Sequence, residues 1–493
     1  MIRPDQEGLS ESSRAQVAQV HPRPTGTVSL EGLHGTVKLP APSAKPWRQY
    51  LAFAGPAILV SVGYMDPGNW STDLQAGAQF KYHLLWVVGL SSLMAIVLQV
   101  IAARLGVVTG KDLAQCSRDH LPKWTRWPNW LSCEFAIAAC DLAEAMGSAV
   151  ALHLLFPGIS LFLALLITAC DVLVLLALQR FGMRLIEAVI LTLVATIGIC
   201  FFIEIFVLPQ TTPNFPEMGR WLVAPDLREF FRDKNMVALA IAMVGATVMP
   251  HNLYLHSALV QSRQLQKDDS AIRRALRFNT IETTVALSVA FIVNAAILVL
   301  AAIVFFPHLS GVGDAAALPD GHGGMIAITD NTDWIQVAYQ TLAPLLGTLA
   351  ASMLFAIGLL ASGQSSTITG TLAGQVVMEG FMHWKLRPWV RRLITRGIAI
   401  LPALIMVGIL GEKANANDLL NFSQMVLALA LPLAMFPLLY FVSSKRVMGR
   451  YRPGWILLVA GWLTALMITA MDIFGLPDVW QAGIAVFKGT GGN

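Results

Sequence analysis

Residues 61–73 read Ser-Val-Gly-Tyr-Met-Asp-Pro-Gly-Asn-Trp-Ser-Thr-Asp, and they interrupt an apolar run that begins near Leu51. The run is long enough to enter a membrane, yet an acid followed by Pro67 and Gly68 is a poor way to continue a helix. Proline removes a backbone donor and clashes with the preceding turn, and glycine loosens what remains. In hydrocarbon, freed backbone groups persist only where protein or a water-filled cavity satisfies them. A lone carboxylate at that depth costs about 2.5–3.5 kcal/mol on insertion scales. The expected use of the Asp66 carboxylate and the bared carbonyls is to hold a cation.

The chain of 493 residues is 55% hydrophobic and 13% charged, about half the charged fraction of an average soluble domain. The class is a polytopic all-α membrane protein with the lipid bilayer as its environment. The net charge of +4 does not point to a nucleic-acid partner, because the basic residues sit in loops. Cys116, Cys133, Cys140, Cys170 and Cys200 show no CxxC spacing, and most lie in apolar segments. They are expected to be small buried hydrophobes. Residues 1–47 are polar, rich in Pro, Ser and Gly, without the apolar core of a signal peptide, and are expected to form a disordered cytoplasmic tail.

Eleven segments are long and apolar enough to span, near 51–78, 84–104, 132–155, 159–179, 186–207, 235–262, 280–306, 335–361, 394–411, 418–442 and 453–473. The membrane domain is thus expected over 48–475, followed by a short extracytoplasmic C-terminal tail over 476–493. Lys and Arg set the orientation. With the N-terminus inside, the tail and the cytoplasmic loops hold 27 of the 34 basic residues, in clusters at 104–126, 180–184, 263–277, 385–396 and 445–452. The opposite side holds seven, and inverting the topology would reverse that ratio.

The sixth span repeats the oddity of the first. Residues 235–262 contain no Asp, Glu, Lys or Arg, yet their middle reads Gly-Ala-Thr-Val-Met-Pro-His-Asn-Leu-Tyr-Leu-His over 245–256. Pro250 breaks the ladder and deprives the Ala246 and Thr247 carbonyls of their usual donors. Two broken helices, each opening a five-helix half, are the pattern of an inverted-repeat transporter, in which substrate and coupling ions bind where the breaks meet. Spans one to five and six to ten form the halves, and span eleven is appended.

Together the breaks offer the Asp66 carboxylate, the Asn69 amide oxygen, the Ala246 carbonyl and the Met249 thioether. Oxygen ligands alone suit Mg²⁺ or Ca²⁺, whereas a thioether favours softer first-row transition metals. The position of Met249 immediately before Pro250 makes it more than one of 19 packing methionines. Gln424, which opens the tenth span beside Ser423, is in reach of the metal or its water. His251 and His256 are five apart and lack the intervening acid of a zinc-hydrolase HExxH. His251 reads as a proton acceptor near the metal, and His256 either joins it or is a satisfied bundle histidine. The third span carries Glu134, Asp141 and Glu144, and the last two share a helical face. Paired carboxylates in low dielectric do not both stay ionised without a cation, so they can pass a proton. Arg396 is the expected basic partner, with Arg392 next. A purely structural salt-bridge cluster is the alternative. Asp171, Asn279, Glu282 and Asn294 are further buried polar candidates.

These residues resemble the natural resistance-associated macrophage protein (NRAMP) family of divalent-metal transporters, from Gly55 to about Phe441. Asp66-Pro67-Gly68-Asn69 and Met249-Pro250-His251-Asn252 resemble its two metal-binding signatures, and Asp141-Leu142-Ala143-Glu144 its third-span proton motif. The stretch from Gly363 to Gly370, continuing to Met378-Glu379-Gly380, is similar to its transport signature after span eight. The resemblance implies a LeuT-like fold that carries Mn²⁺, Fe²⁺ and related ions such as Cd²⁺ and Co²⁺ inward with protons across a bacterial cytoplasmic membrane. It implies metal ligands at Asp66, Asn69, Ala246 and Met249, a proton path through His251, Asp141, Glu144 and Arg396, and the transition-metal branch rather than magnesium-transporting relatives. No cofactor is expected, and the functional unit is expected to be a monomer. Lys81 stands where relatives usually carry a small residue, and Ala430 where many carry a glutamine, which leaves Gln424 as the polar contact from the tenth span.

Two other readings compete. A sodium-coupled amino-acid symporter of the same fold needs a helix N-terminus free of fixed negative charge, which Asp66 denies. An intramembrane metalloenzyme needs three or more side-chain ligands around an open metal position and a general base, and the ten histidines do not cluster. A channel would show a ring of acids or a carbonyl filter. The chain is therefore not expected to be an enzyme.

Overall fold

The structure is a computed structural model that describes residues 29–30, 33–40, 44–179, 183–207, 213–265, 268–309, 317–319, 324–328, 332–346, 349–382, 388–410 and 415–488. Helices occupy the place of every expected span. The first comprises Pro46–Phe53, Pro56–Gly63 and Pro67–Phe80, and the second to fifth are Leu85–Thr109, Arg126–Leu155, Leu161–Gln179 and Met183–Phe202. The sixth is Lys234–Thr247 with Pro250–Leu259, and the seventh is Asp269–Val304. Leu349–Met382, Pro388–Leu410, Ala416–Ser443 and Trp455–Lys488 complete the set. Among the described residues, eight of the eleven are long and apolar enough to cross a membrane. The first, fourth and ninth fall short of this.

The fold is a LeuT-like inverted repeat of two five-helix halves plus an eleventh helix. The third and eighth spans, symmetry mates in the two halves, pack against each other over most of their length. Their contact is close because glycines line it. A Cβ on Gly363 would lie 2.1 Å from Ser148 Oγ, and one on Gly370 would lie 3.1 Å from Glu144 Oε1. Small residues are how membrane helices approach closely when hydrocarbon offers no hydrophobic drive between them.

Three expectations need correction. The eighth span was expected over 335–361 with the Gly363–Gly370 motif after it. Instead Trp334–Leu346 is a separate short helix, and the motif lies inside Leu349–Met382. Its hydroxyls bond back along the helix, Ser366 to the Ser362 carbonyl at 3.0 Å and Thr367 to the Gly363 carbonyl at 2.9 Å, so a polar run costs the helix little. The second correction concerns the tail expected to be disordered, whose described residues 29–30 and 33–40 pack on the bundle. Leu30, Leu33 and Val37 are buried in the main core, and the Leu30 N–H donates to Glu379 at 2.9 Å. Three apolar side chains within nine residues suffice to anchor a segment whose average composition is polar. The third concerns residues 476–493, because the last helix continues to Lys488 through Pro477. Val479 packs with Ala242 and Met425, which offsets the hydrogen bond that Pro477 removes.

At the end of the bundle that carries the basic clusters, the first span is held by charge. Glu282 accepts from the Gly55 and Ala57 N–H groups at 2.6 and 3.0 Å. Arg263 donates to the Ala54 carbonyl and pairs with Glu187 at 3.0 Å. Gly55 sits at φ +140°, and a Cβ there would fall 2.0 Å from Glu187, so this clamp requires glycine on both grounds.

Candidate metal site between two broken helices

Both breaks are helix restarts rather than kinks. After Gly63 the chain closes with two short-range bonds, Tyr64 N–H to Ser61 and Met65 N–H to Val62. Asp66 is then the N-cap of Pro67–Phe80, with Pro67 in its first turn. This is where proline fits best, since the first N–H groups of a helix have no partner in any case. Asp66 Oδ1 accepts from Asn69 N–H at 2.9 Å and from Asn69 Nδ2 at 2.8 Å. The sixth span repeats the device with Met249 as N-cap and Pro250 following. The freed carbonyls of the first break are satisfied from the other spans: Asn294 donates to Tyr64 O at 2.8 Å and Ser362 to Met65 O at 2.5 Å.

Asn69 joins the two breaks. Its Nδ2 also donates to the Ala246 carbonyl at 3.1 Å, the carbonyl that Pro250 deprives of a donor. The amide nitrogen therefore bridges Asp66 Oδ1 and Ala246 O, one oxygen from each break. Its Oδ1 accepts from Asn294 at 3.2 Å and from Thr247 at 3.5 Å. Asp66 Oδ2 is fully buried and has no hydrogen-bond partner among the described residues.

Gln424 wedges into both breaks. A Cβ on Gly68 would lie 1.9 Å from Gln424 Nε2, and one on Gly245 would lie 2.1 Å from the Gln424 carbonyl. Its Nε2 donates to Ser423 at 2.9 Å, while Oε1 is buried without a partner among the described residues. Met249 is fully buried in a small apolar cluster with Ala136, Cys140, Leu427 and Ala430. Asn252 Nδ2 reaches its sulfur at 3.5 Å. Ala430 thus borders the site through Met249 rather than as a polar contact. Among the described residues no three His, Cys, Asp or Glu side chains gather. The arrangement instead offers one carboxylate, two amide oxygens, a carbonyl and a thioether.

Asp141 and Glu144 of the third span lie against Arg396. Arg396, buried, approaches Glu144 Oε2 at 3.3 Å and Asp141 Oδ1 at 3.8 Å, and donates to the Asp141 carbonyl at 3.1 Å. Glu134 lies two turns earlier on the same helix and is half-buried. His251 is fully buried in the first turn after the sixth-span break. His256 is taken up by a bundle network, with Nδ1 3.0 Å from Gln99 Oε1 and Gln99 Nε2 donating to the Tyr64 hydroxyl at 2.7 Å. Asn279 is buried, and the side chains of Arg392 and Asp171 lie outside the described residues.

Several contacts were not foreseen. Cys140, expected to be a plain hydrophobe, donates to Glu144 Oε1 at 3.4 Å and packs on Met249, linking the thioether to the carboxylate pair. Its place one turn before Glu144 was a visible signal. Thr247, Asn252 and Ser362 had no signal beyond polarity inside an apolar segment. At the far end of the first span Lys81, at φ +54°, pairs with Glu217 of the short helix Phe215–Val223 at 2.7 Å.

Comparison with known proteins adds an independent line. A family described as "Natural resistance-associated macrophage protein-like" matches residues 57–477. A divalent metal cation transporter of Nostoc sp. is 48% identical, covering 91% of this chain and 96% of its own length. One of Levilactobacillus brevis is 45% identical, covering 91% and 94%. The solved manganese transporter of Eremococcus coleocola, in complex with an aromatic bis-isothiourea substituted compound, superposes with a TM-score of 0.79. It is 35% identical and covers 94% of this chain and 96% of its own. A nucleobase-cation-symport-1 transporter, Mhp1, shares the fold at 14% identity and a TM-score of 0.52, covering 88% and 93%.

Proposed function

Because this chain belongs to the natural resistance-associated macrophage protein family, we propose that it imports divalent transition-metal ions, Mn²⁺ and Fe²⁺ foremost with Cd²⁺ and Co²⁺ accepted, together with protons. It acts as a monomer in the cytoplasmic membrane of a bacterium, N-terminus inside and C-terminus outside. The observation that carries this is the buried Asp66 Oδ2, without a partner among the described residues, at the junction of the two breaks. A carboxylate in that position gains most from a cation that shares it with the Ala246 carbonyl.

Metal binding asks one local rearrangement. The Asn69 amide turns over, handing Oδ1 to the metal and Nδ2 to Asn294, whose Oδ1 has no partner among the described residues. A primary amide can do this without moving its backbone, since its two ends differ only in donor and acceptor roles. Gln424 Oε1 and Met249 Sδ complete the shell. The proton leaves the site by His251, with Asp141, Glu144 and Arg396 as the relay, and with Glu134 and His256 flanking it. Proteoliposome uptake of Mn²⁺, with and without an inward proton gradient and in competition with Ca²⁺ and Mg²⁺, tests the whole reading. Uptake that needs Na⁺, or that ignores the proton gradient, would overturn it.

Two variants separate the parts. Asp141→Asn retains metal affinity, because the residue lies outside the proposed ligand shell, and loses metal-stimulated acidification, because an amide cannot carry the proton. Proton flux equal to wild type in that variant would make the cluster structural. Met249→Ala retains Mn²⁺ transport through the oxygen ligands and loses most Cd²⁺ affinity. The vacated volume admits a water oxygen, which suits hard ions, so Ca²⁺ begins to compete with Mn²⁺. An unchanged Ca²⁺ to Mn²⁺ ratio would assign selectivity to cavity shape rather than sulfur.

A further inference from the structure

Away from the transport site, a cavity of about 540 Å³ opens between the basic ends of the second and seventh spans and the turn before the eleventh. Arg104, Arg273, Arg277, Arg450 and Arg452 line it together with Tyr451. Asp269 is the carboxylate tied into this group, and it organises part of it. It accepts from the Tyr451 hydroxyl at 2.6 Å and pairs with Arg273 at 3.0 Å and Arg450 at 3.1 Å. Arg104 donates to the Tyr451 carbonyl at 3.2 Å. Arg277 and Arg452 have no ion pair or hydrogen bond among the described residues. Five guanidinium groups around one carboxylate leave a strong positive excess, held in place by bonds that do not consume it.

Exposed apolar residues follow the cavity's lining along two helices. Ile281 lines its wall. From there Val285, Val289 and Ile292 of the seventh span are exposed at successive helical turns, as are Trp455, Val459 and Leu463 of the eleventh. Trp455 begins its helix beside the arginines, and tryptophan concentrates at the depth of lipid headgroups. A cationic floor at headgroup depth, opening onto two apolar stripes, matches an anion that carries acyl chains.

We propose that this cavity binds the phosphodiester headgroup of an anionic phospholipid, with Arg277 and Arg452 as the phosphate donors and the two exposed stripes as the bed for its chains. Basic pockets between membrane helices on the cytoplasmic side suit such headgroups, and guanidinium groups hold phosphate oxygens in a bidentate fork. The proposal does not rest on the transport reading, because its readout is lipid retention.

The purified full-length protein is exchanged into detergent containing cardiolipin, phosphatidylglycerol or phosphatidylethanolamine, and retained lipid is counted by native mass spectrometry. Cardiolipin and phosphatidylglycerol are retained over phosphatidylethanolamine. The double variant R277Q/R452Q weakens that retention by roughly tenfold or more, since each basic residue near a charged surface contributes about a fivefold factor. Both residues are exposed, so folding is expected to survive. Thr280→Trp, which fills the cavity from the seventh span without removing a charge, gives a second route to the same loss. Retention equal to wild type in either variant overturns the site. Millimolar inorganic phosphate does not displace the lipid. Displacement by phosphate alone would assign the cavity to a soluble phosphate compound and overturn the lipid assignment.

Discussion

Asp66→Ala abolishes Mn²⁺ uptake in proteoliposomes and lowers metal affinity by on the order of a hundredfold or more, since removing even a residue behind a metal ligand costs about 10–100-fold. Among the described residues Asp66 is the one carboxylate at the junction of the two breaks, and the other candidate ligands there are neutral. The variant stays folded. It loses an N-cap worth about 1 kcal/mol, because Oδ1 accepts the Asn69 N–H. It also relieves the burial of a charge, whose penalty is several kcal/mol per ion. Asp66→Asn keeps the cap while also removing the charge, so it is more stable than Asp66→Ala by the cap's contribution, about 1 kcal/mol, and still does not transport. Substantial Mn²⁺ uptake by well-expressed Asp66→Ala would remove the site from this junction.

Arg396→Ala is expected to produce the largest loss of stability, about 3–5 kcal/mol, the usual result of stripping one partner from a buried ion group. Arg396 is buried against Asp141 and Glu144, and it also reaches the Thr168 carbonyl and the Thr367 hydroxyl at 3.5 Å. Without it two carboxylates face each other in low dielectric, and the fold must weaken or take up a proton. Thermal unfolding of the purified protein measures the loss, and a second substitution tests its cause. Asp141→Asn in the Arg396→Ala background removes one of the unpaired charges and recovers part of the melting temperature. No recovery would mean that Arg396 acts through its backbone contacts to the third and fourth spans. Arg396→Lys keeps the charge but not the planar fork, and it falls between wild type and alanine.

What the sequence determined by itself came from features too costly to be accidental in hydrocarbon. Asp-Pro-Gly at 66–68 and Met-Pro-His at 249–251 announced the two breaks, and their matching places in two five-helix halves announced the inverted repeat. The Asp141/Glu144 spacing placed both acids on one face, and Arg396 was the nearby basic residue that a buried pair would need. Local chemistry was enough there, because a buried charge or a proline leaves few alternatives. Composition misjudged residues 29–30, 33–40, 363–380 and 476–488, where average polarity or a single proline outweighed a few decisive contacts. Leu30, Leu33 and Val37 bury themselves in a core made by other spans, and the Gly363–Gly370 run becomes helix because the third span needs small neighbours. Only the tertiary structure decided that Asn69 holds both breaks, that Cys140 links Met249 to Glu144, and that five arginines from distant segments share one cavity. Each depends on which atoms lie opposite across helices far apart in the chain, and side-chain direction across an interface is set by packing rather than by the local chain.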